Sequence, residues 1–310
     1  MATGSANKAR QKPAPVNGLL LLNKPAGMTS NQVLQRVKRL LNAKKAGHTG
    51  SLDPAATGML PLCFGEATKI CAYLLDTDKT YRVTARLGEK MDTADGDGKV
   101  IETAEVPQLG EAQWRAILES FSGDIEQVPP MYSALKKDGK RLYELARKGE
   151  TVERQARPVV IHEIDLLEQS GSRLVFRVKC SKGTYVRTLV EDIAAAAGTV
   201  AYTSKLHRET VGEFRAEDML DLSSAEKEAQ DGPDTLREQL MSADQALSDW
   251  SACTLAEGDN DRFSGGQTVP CDVSGEGLTR VYGIDGRFLG IGDLTGAGTV
   301  APKRIFLSAG

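Results

Sequence analysis

Residues 46–69, AGHTGSLDPAATGMLPLCFGEATK, constrain this chain more than any other segment. Asp53 is the first acid of the whole sequence, and the next is Glu66. Glycines at 47, 50, 58 and 65 and prolines at 54 and 61 punctuate the segment. Glycine reaches backbone conformations closed to other residues, while proline fixes its own φ and pushes its predecessor out of the helical region. The segment is expected to be a looped, close-packed backbone that holds one carboxylate between apolar runs. Such an acid serves either chemistry or a structural turn, and these residues alone leave both open.

At 310 residues and 33.3 kDa the chain has room for one large domain and a small one. No stretch approaches the roughly 18 apolar residues of a membrane helix. Residues 1–17 are small and polar without an apolar core, so a flexible tail is expected there and not a signal peptide. The five cysteines, at 63, 71, 180, 253 and 271, form no Cys-x-x-Cys pair, which reads as reduced thiols in a cytoplasmic protein. With only His48, His162 and His207 as imidazoles, no metal site is expected, and no cofactor motif is present. The net charge of −3 hides a strong asymmetry. Residues 1–60 hold nine lysines and arginines against one acid; residues 136–157 hold eight against four; residues 216–261 hold two against thirteen acids. Polyanions respond to local patches rather than to the total, so a basic face remains compatible with a nucleic-acid partner.

Hydrophobic periodicity predicts a strand at 19–22 and a helix at 30–41, with a second short helix at 66–75. An alternating strand follows at 81–87, and residues 99–103 are expected to pair with it across an acidic turn. A third helix centres on Trp114. Strands at 159–167 and 174–180 precede a helix at 185–197 that Gly198 stops. Residues 123–157 interrupt the pattern with Pro129, Pro130, a basic cluster and a short helix near 141–147. Residues 221–245 are expected to be a polar linker. Strands mixed irregularly with helices give an α+β class: a mixed, largely antiparallel sheet with packed helices, followed by a small all-β domain.

Five motifs in order carry a resemblance. Gly50-x-Leu52-Asp53-Pro54-x-Ala56-x-Gly58-x-Leu60 resembles the catalytic loop of the pseudouridine synthases, in particular the TruB-type family that acts on uridine 55 of tRNA. Residues 23–30, NKPAGMTS, resemble the family's Lys-Pro-x-Gly turn, and residues 79–83, KTYRV, the strand bearing its active-site tyrosine. Residues 123–136 are similar to the start of the RNA-binding insertion of bacterial members, and residues 180–187, CSKGTYVR, to the segment supplying an arginine partner for the aspartate. The match runs from about Leu19 to Arg208.

The resemblance implies a catalytic domain over 18–245, with its RNA-binding insertion, a thumb, at about 123–157, and a PUA-type β domain over 246–310. It implies Asp53 as nucleophile or base, Arg187 as its charge partner and Tyr81 stacked on the target uracil. Tyr185 and Leu206 match pocket walls, and Lys24 matches the residue that orders the loop. Asp95 would share the charge network, the alternative being a hydrated turn. His48 would enter the space left by the flipped base, and Lys136, Lys137, Lys140 and Arg141 would contact RNA. Arg36, Lys44, Lys45 and Lys24 would extend that basic face. An unperturbed aspartate has about three pKa units, roughly 4 kcal/mol, of margin at pH 7, and full burial can remove it, so a paired cation is needed. The expected partner is the T-stem-loop of tRNA, bound by a monomer without guide RNA or membrane, with a tRNA-folding role as a possible addition. Three other readings compete. A pure RNA binder would have no need of an aspartate–arginine pair, and the insertion argues against the guide-RNA-dependent relatives. A glycosidase needs two facing carboxylates where the loop offers one.

Overall fold

The computed structural model describes residues 15–133, 135–137 and 139–306. Strand β1 (Gly18–Lys24) carries four successive leucines, and a strand sends alternate side chains to opposite faces. Leu20 and Leu22 join Val33, Val37, Leu60 and Leu62 in one cluster, whereas Leu19 and Leu21 join Cys63, Ile70 and Leu74 in another. A strand apolar on both faces belongs inside a sheet that is covered on both sides. Helix α1 (Ser30–Leu40) supplies one cover. It starts at a capping box in which the Gln32 backbone N–H donates to Thr29 Oγ1 (3.1 Å) and the Thr29 N–H donates to Gln32 Oε1 (2.8 Å).

The chain continues through β2 (Ala46–His48) and β3 (Thr57–Phe64), a 3₁₀ turn (Gly65–Ile70) and α2 (Cys71–Leu75). Strand β4 (Lys79–Leu87), the ribbon β5 (Glu89–Met91) and β6 (Val100–Thr103), and helix α3 (Glu111–Glu119) follow. Strand β7 (Gly123–Gln127) leads into the thumb, with β8 (Lys136–Lys137), β9 (Lys140–Arg141) and α4 (Leu142–Ala146). Long strands β10 (Arg157–Ser170) and β11 (Arg173–Cys180), helix α5 (Val186–Ala196), and strands β12 (Ala201–Val211) and β13 (Leu220–Asp221) complete the main sheet. Its order is β13-β1-β3-β12-β4-β11-β10-β7, with β2 paired to β3. Only β1–β13 and β3–β12 run parallel; the other pairs are antiparallel. The α+β class with a mixed, largely antiparallel sheet is therefore borne out. Trp114 and Leu118 of α3 and Leu189, Val190 and Ile193 of α5 bury the face of β4, β10 and β11.

Three expectations need correction. Residues 100–103 pair with β5 in a separate ribbon and not with β4, because β4 is already flanked by β11 and β12. The segment expected as a linker holds two helices, α6 (Leu222–Asp231) and α7 (Pro233–Glu238), whose Leu222, Ala225 and Leu236 are buried in the α1 cluster. Their apolar stripe is narrow and sits in a strongly acidic background, which hid it. Strands β3 and β12 were not anticipated, β3 because Gly58 and Pro61 disguise it as loop.

The C-terminal part forms a five-stranded sheet from β14 (Ala252–Thr254), β15 (Val269–Pro270), β16 (Glu276–Tyr282), β17 (Phe288–Thr295) and β18 (Thr299–Ile305), in the order β14-β16-β17-β18-β15. Helix α8 (Asp259–Ser264) lays Phe263 on its core beside Cys253, Val281, Leu289 and Val300. This sheet is not suspended on a tether. Ile291 packs in one cluster with Leu19, Leu21, Ile70 and Leu247, Trp250 meets Tyr73 edge-on at 5.2 Å, and Lys69 Nζ donates to the Ile305 carbonyl at 2.5 Å.

Candidate active site

The aspartate loop lies between β2 and β3, and three buried polar side chains hold it. Asp53, Pro54, Ala55 and Ala56 form a turn closed by the Ala56 N–H donating to the Asp53 carbonyl at 3.1 Å, with proline in its favoured second position. Lys24, at the end of β1, is fully buried, and its ammonium donates to the carbonyls of Pro25 (2.8 Å), Pro54 (3.1 Å) and Ala56 (2.7 Å). Burial lowers its pKa to about 8, Asp53 opposing and Arg208 reinforcing the shift. Ser30, the first residue of α1, exchanges two hydrogen bonds with the Leu52 backbone at 2.8 and 3.0 Å. Arg208, on β12, is 2% exposed and donates from Nε to the Met59 carbonyl (2.7 Å) and from Nη2 to the Gly50 carbonyl (3.1 Å). The loop is thus tied at both ends and in the middle.

The carboxylate itself stays open to the cleft, with its side chain 44% exposed. Arg187, only 7% exposed, approaches it with Nε 3.1 Å from Asp53 Oδ2. The same guanidinium reaches Asp95 Oδ2 at 3.4 Å, and donates to the Thr93 carbonyl (3.0 Å) and to the Tyr132 carbonyl at the base of the thumb (2.8 Å). One buried arginine therefore joins the loop, the acidic turn and the thumb. The acidic turn is built for this: Asp95 Oδ1 accepts from Thr93 Oγ1 (2.7 Å) and from the Asp97 N–H (3.2 Å), leaving Oδ2 for the arginine. Burial raises the pKa of Asp53; Arg187 and Lys24 pull it back, while Asp95 and Asp97 push it further up.

Around this pair the structure places most of the residues that the sequence nominates. Tyr81, half-buried near the start of β4, carries a phenol whose pKa burial raises and the nearby Arg208 charge pulls back. Leu206, on β12, is partly buried against the same core as Tyr81. Tyr185 precedes α5, its backbone N–H donating to Gln127 Oε1 at 3.0 Å, and burial raises its phenol pKa. His48 ends β2 with Nδ1 buried and unpartnered, and burial, aided by Arg208, lowers its pKa. Lys136 and Lys140 are exposed on the thumb, whereas the side chains of Lys137 and Arg141 lie outside the described residues. Two members of the expected basic face have partners within the protein. Lys24 spends its ammonium on loop carbonyls, and Arg36 is ion-paired with Glu226 of α6; Lys44 and Lys45 remain exposed. Among the described residues no cluster of side chains fits a metal ion. Sequence reasoning missed Ser30 and Arg208. Nothing marks a buried serine locally, and Arg208 sits in a stretch that reads only as basic.

An aspartate paired to a buried arginine, on a rigid loop in the cleft of a mixed sheet, is the arrangement expected of a pseudouridine synthase. The comparisons agree. Residues 38–186 match the TruB family pseudouridylate synthase N-terminal domain, and residues 251–306 match the C-terminal domain of pseudouridine synthase II TruB. The chain is 48% identical over 295 residues to tRNA pseudouridine synthase B of Pseudomonas putida, covering 94% of this chain and 96% of that protein. It is 46% identical over 310 residues to tRNA pseudouridine synthase B of Shigella boydii, covering 96% and 98%. A chain from a Cbf5-Nop10-Gar1 complex shares the fold, with a TM-score of 0.74 at 23% identity over 94% of this chain and 85% of that one. The chain belongs to the TruB family of tRNA pseudouridine synthases and is an isomerase.

Proposed function

We propose that this enzyme isomerises uridine 55 in the T-loop of tRNA, and that Asp53 is its catalytic group. The single observation that carries this reading is the Arg187–Asp53 pair at 3.1 Å, buried on the arginine side and open on the carboxylate side. An oxygen nucleophile or base needs its charge retained and its lone pairs accessible, and this geometry provides both. The reaction breaks the bond between uracil N1 and ribose C1′, turns the base, and joins C5 to C1′; the C5 proton is lost and N1 gains one, so the composition is unchanged.

A target base inside a folded loop has to be flipped out, at a cost of a few kcal/mol. Stacking on Tyr81 returns roughly 1–3 kcal/mol per base. Tyr185 and Leu206 form the walls of the pocket, His48 fills the space the base vacates, and Lys24 keeps the loop in register. Asp95 holds Arg187 from its far side, so the guanidinium stays oriented when Asp53 engages the ribose or base. The thumb, with Lys136, Lys137, Lys140 and Arg141, closes on RNA backbone, and the C-terminal sheet acts as a PUA-type RNA-binding module. The chain works as a cytoplasmic monomer without guide RNA; helping tRNA to fold is a separate property, and it requires that binding survive loss of Asp53.

The test is an assay of the purified chain on an unmodified T-stem-loop with no other RNA added. Pseudouridine should form at position 55 alone. No product on that RNA, or product only when a guide RNA is supplied, overturns the proposal.

A further inference from the structure

Arg208 is a strongly basic group beside the site that the aspartate–arginine pair does not use. Its position is costly. A guanidinium 2% exposed gives up most of its hydration, and here the compensating partners are carbonyl oxygens, which offset a charge less fully than a carboxylate does. It also sits close enough to Lys24 and His48 to lower the pKa of both. A side chain that held β12 in place and nothing more would not need this charge.

Its connections share a direction. The Gly50 and Met59 carbonyls stand on the two sides of Asp53 in the chain, and one planar fork holds both. The backbone of Arg208 is itself wedged into the site. It is the parallel register partner of Gly58 on β3 and the antiparallel partner of Tyr81 on β4. A Cβ on Gly58, whose φ is +102°, would lie 2.2 Å from the Arg208 carbonyl oxygen, so the two backbones approach as closely as only glycine allows. Loop and tyrosine come from different strands, and Arg208 is the residue on which both are fixed.

We infer that Arg208 is a positioning residue for the isomerisation, holding the Asp53 loop against the strand of Tyr81 through its bonds to the Gly50 and Met59 carbonyls and its backbone pairing with Gly58 and Tyr81. The inference rests on the roles proposed above for Asp53 and Tyr81. Lysine retains the charge and loses the planar fork that reaches both carbonyls from one rigid group. The defect should therefore appear in turnover rather than in binding, because RNA meets the exposed lysines and not this buried group.

The experiment is a double-mutant cycle on unmodified T-stem-loop RNA, using Arg208→Lys, Arg208→Met, Ser30→Ala and the two combinations, since Ser30 ties the same loop through Leu52. Arg208→Met should lower kcat by about a hundredfold, an uncoupling of one well-fixed group from the chemistry, with KM within about threefold. Arg208→Lys should recover part of that loss. In the Ser30→Ala background, where the loop has already lost one tie, Arg208→Lys should cost less than a third of its factor in the parent. If Arg208→Met does not fold, Arg208→Lys and its combination with Ser30→Ala decide the question by the same criterion. Arg208 variants with parental kcat overturn the inference, and so does a factor for Arg208→Lys that is the same in both backgrounds. A parent chain inactive on the T-stem-loop would instead defeat the reading of the site on which the inference stands.

Discussion

A carboxylate can be nearly half exposed and still be set apart from water by what lies behind it. Asp53 has Arg187 behind it, and Arg187 has Asp95, so removing the Asp53 charge leaves the arginine paired with Asp95. Asp53→Asn is therefore expected to fold and to bind tRNA with little change, while single-turnover product falls below detection. A rate within tenfold of the parent, less than about 1.4 kcal/mol of barrier, would falsify the catalytic assignment. Arg187→Lys should be crippled but measurable, since it retains charge and loses the fork. His48→Ala should lose far less than Asp53→Asn, because a residue that fills space holds geometry without making bonds; equal losses in the two kinetic series would put His48 in the chemistry. The pH profile tests the environment of the acid. Burial raises the Asp53 pKa above its ordinary 3.8, so the ionised, active form is lost on acidification at a higher pH than for a free carboxylate. The acidic limb of kcat/KM, which reports the free enzyme, should have its midpoint above 3.8, and a midpoint at or below it contradicts the buried setting. The same shift acts on stability in the opposite sense: ionised Asp53 weighs against the fold at neutral pH, and that burden lifts as pH falls through the raised pKa.

Elements with plain periodicity were legible in the sequence: β1 from its leucines, α1 from its spacing, α5 with Gly198 at φ +77° just beyond its end. The aspartate loop was legible because glycine and proline are rare in such density and the spelling of the motif is specific. The missed elements have physical reasons. Strand β3 contains a proline whose missing N–H needs no ladder partner at its position, and β12 mixes Lys205, His207 and Arg208 into its alternation, so its buried arginine looks like surface. The helices of 222–238 bury only a few side chains, too few to outweigh thirteen nearby acids in a reading of composition. Those few matter. Leu236 is fully buried against α1, and Leu236→Ala should cost about 2–5 kcal/mol in urea unfolding, as for a core leucine. A linker residue would cost within about 0.5 kcal/mol, so the measurement separates the two assignments cleanly. At the site, sequence reached the residues proposed to meet the substrate and missed Ser30 and Arg208, which bond backbone groups and leave no pattern in the chain.

The whole molecule carries net charge −3, yet its acids and bases are segregated along the chain. With Lys24 buried against the loop carbonyls, the exposed candidates for phosphate contact are Arg36, which is ion-paired with Glu226, Lys44, Lys45 and the thumb. Affinity for tRNA should still fall with salt, by a log–log slope of several units, each lost phosphate contact reducing the slope by about one. Lys136→Ala with Lys140→Ala should lower that slope by about two while leaving kcat at saturating tRNA close to parental; a salt response that does not change removes the thumb lysines from the interface. The architecture also sets a timetable for synthesis. Strand β1 hydrogen-bonds β3 on one side, but its other edge is closed only by β13 near residue 220, and the Leu19 backbone exchanges two bonds with Met241. Both partners lie some two hundred residues downstream of the strand they complete. A ribosome making this chain must therefore expose an apolar, half-zipped edge until more than two-thirds of the message has been read, and at roughly 5–20 residues per second that window lasts ten seconds or more. The first leucines to emerge are among the last to be sealed, which makes the nascent chain, rather than the finished enzyme, the form most exposed to chaperones and to aggregation.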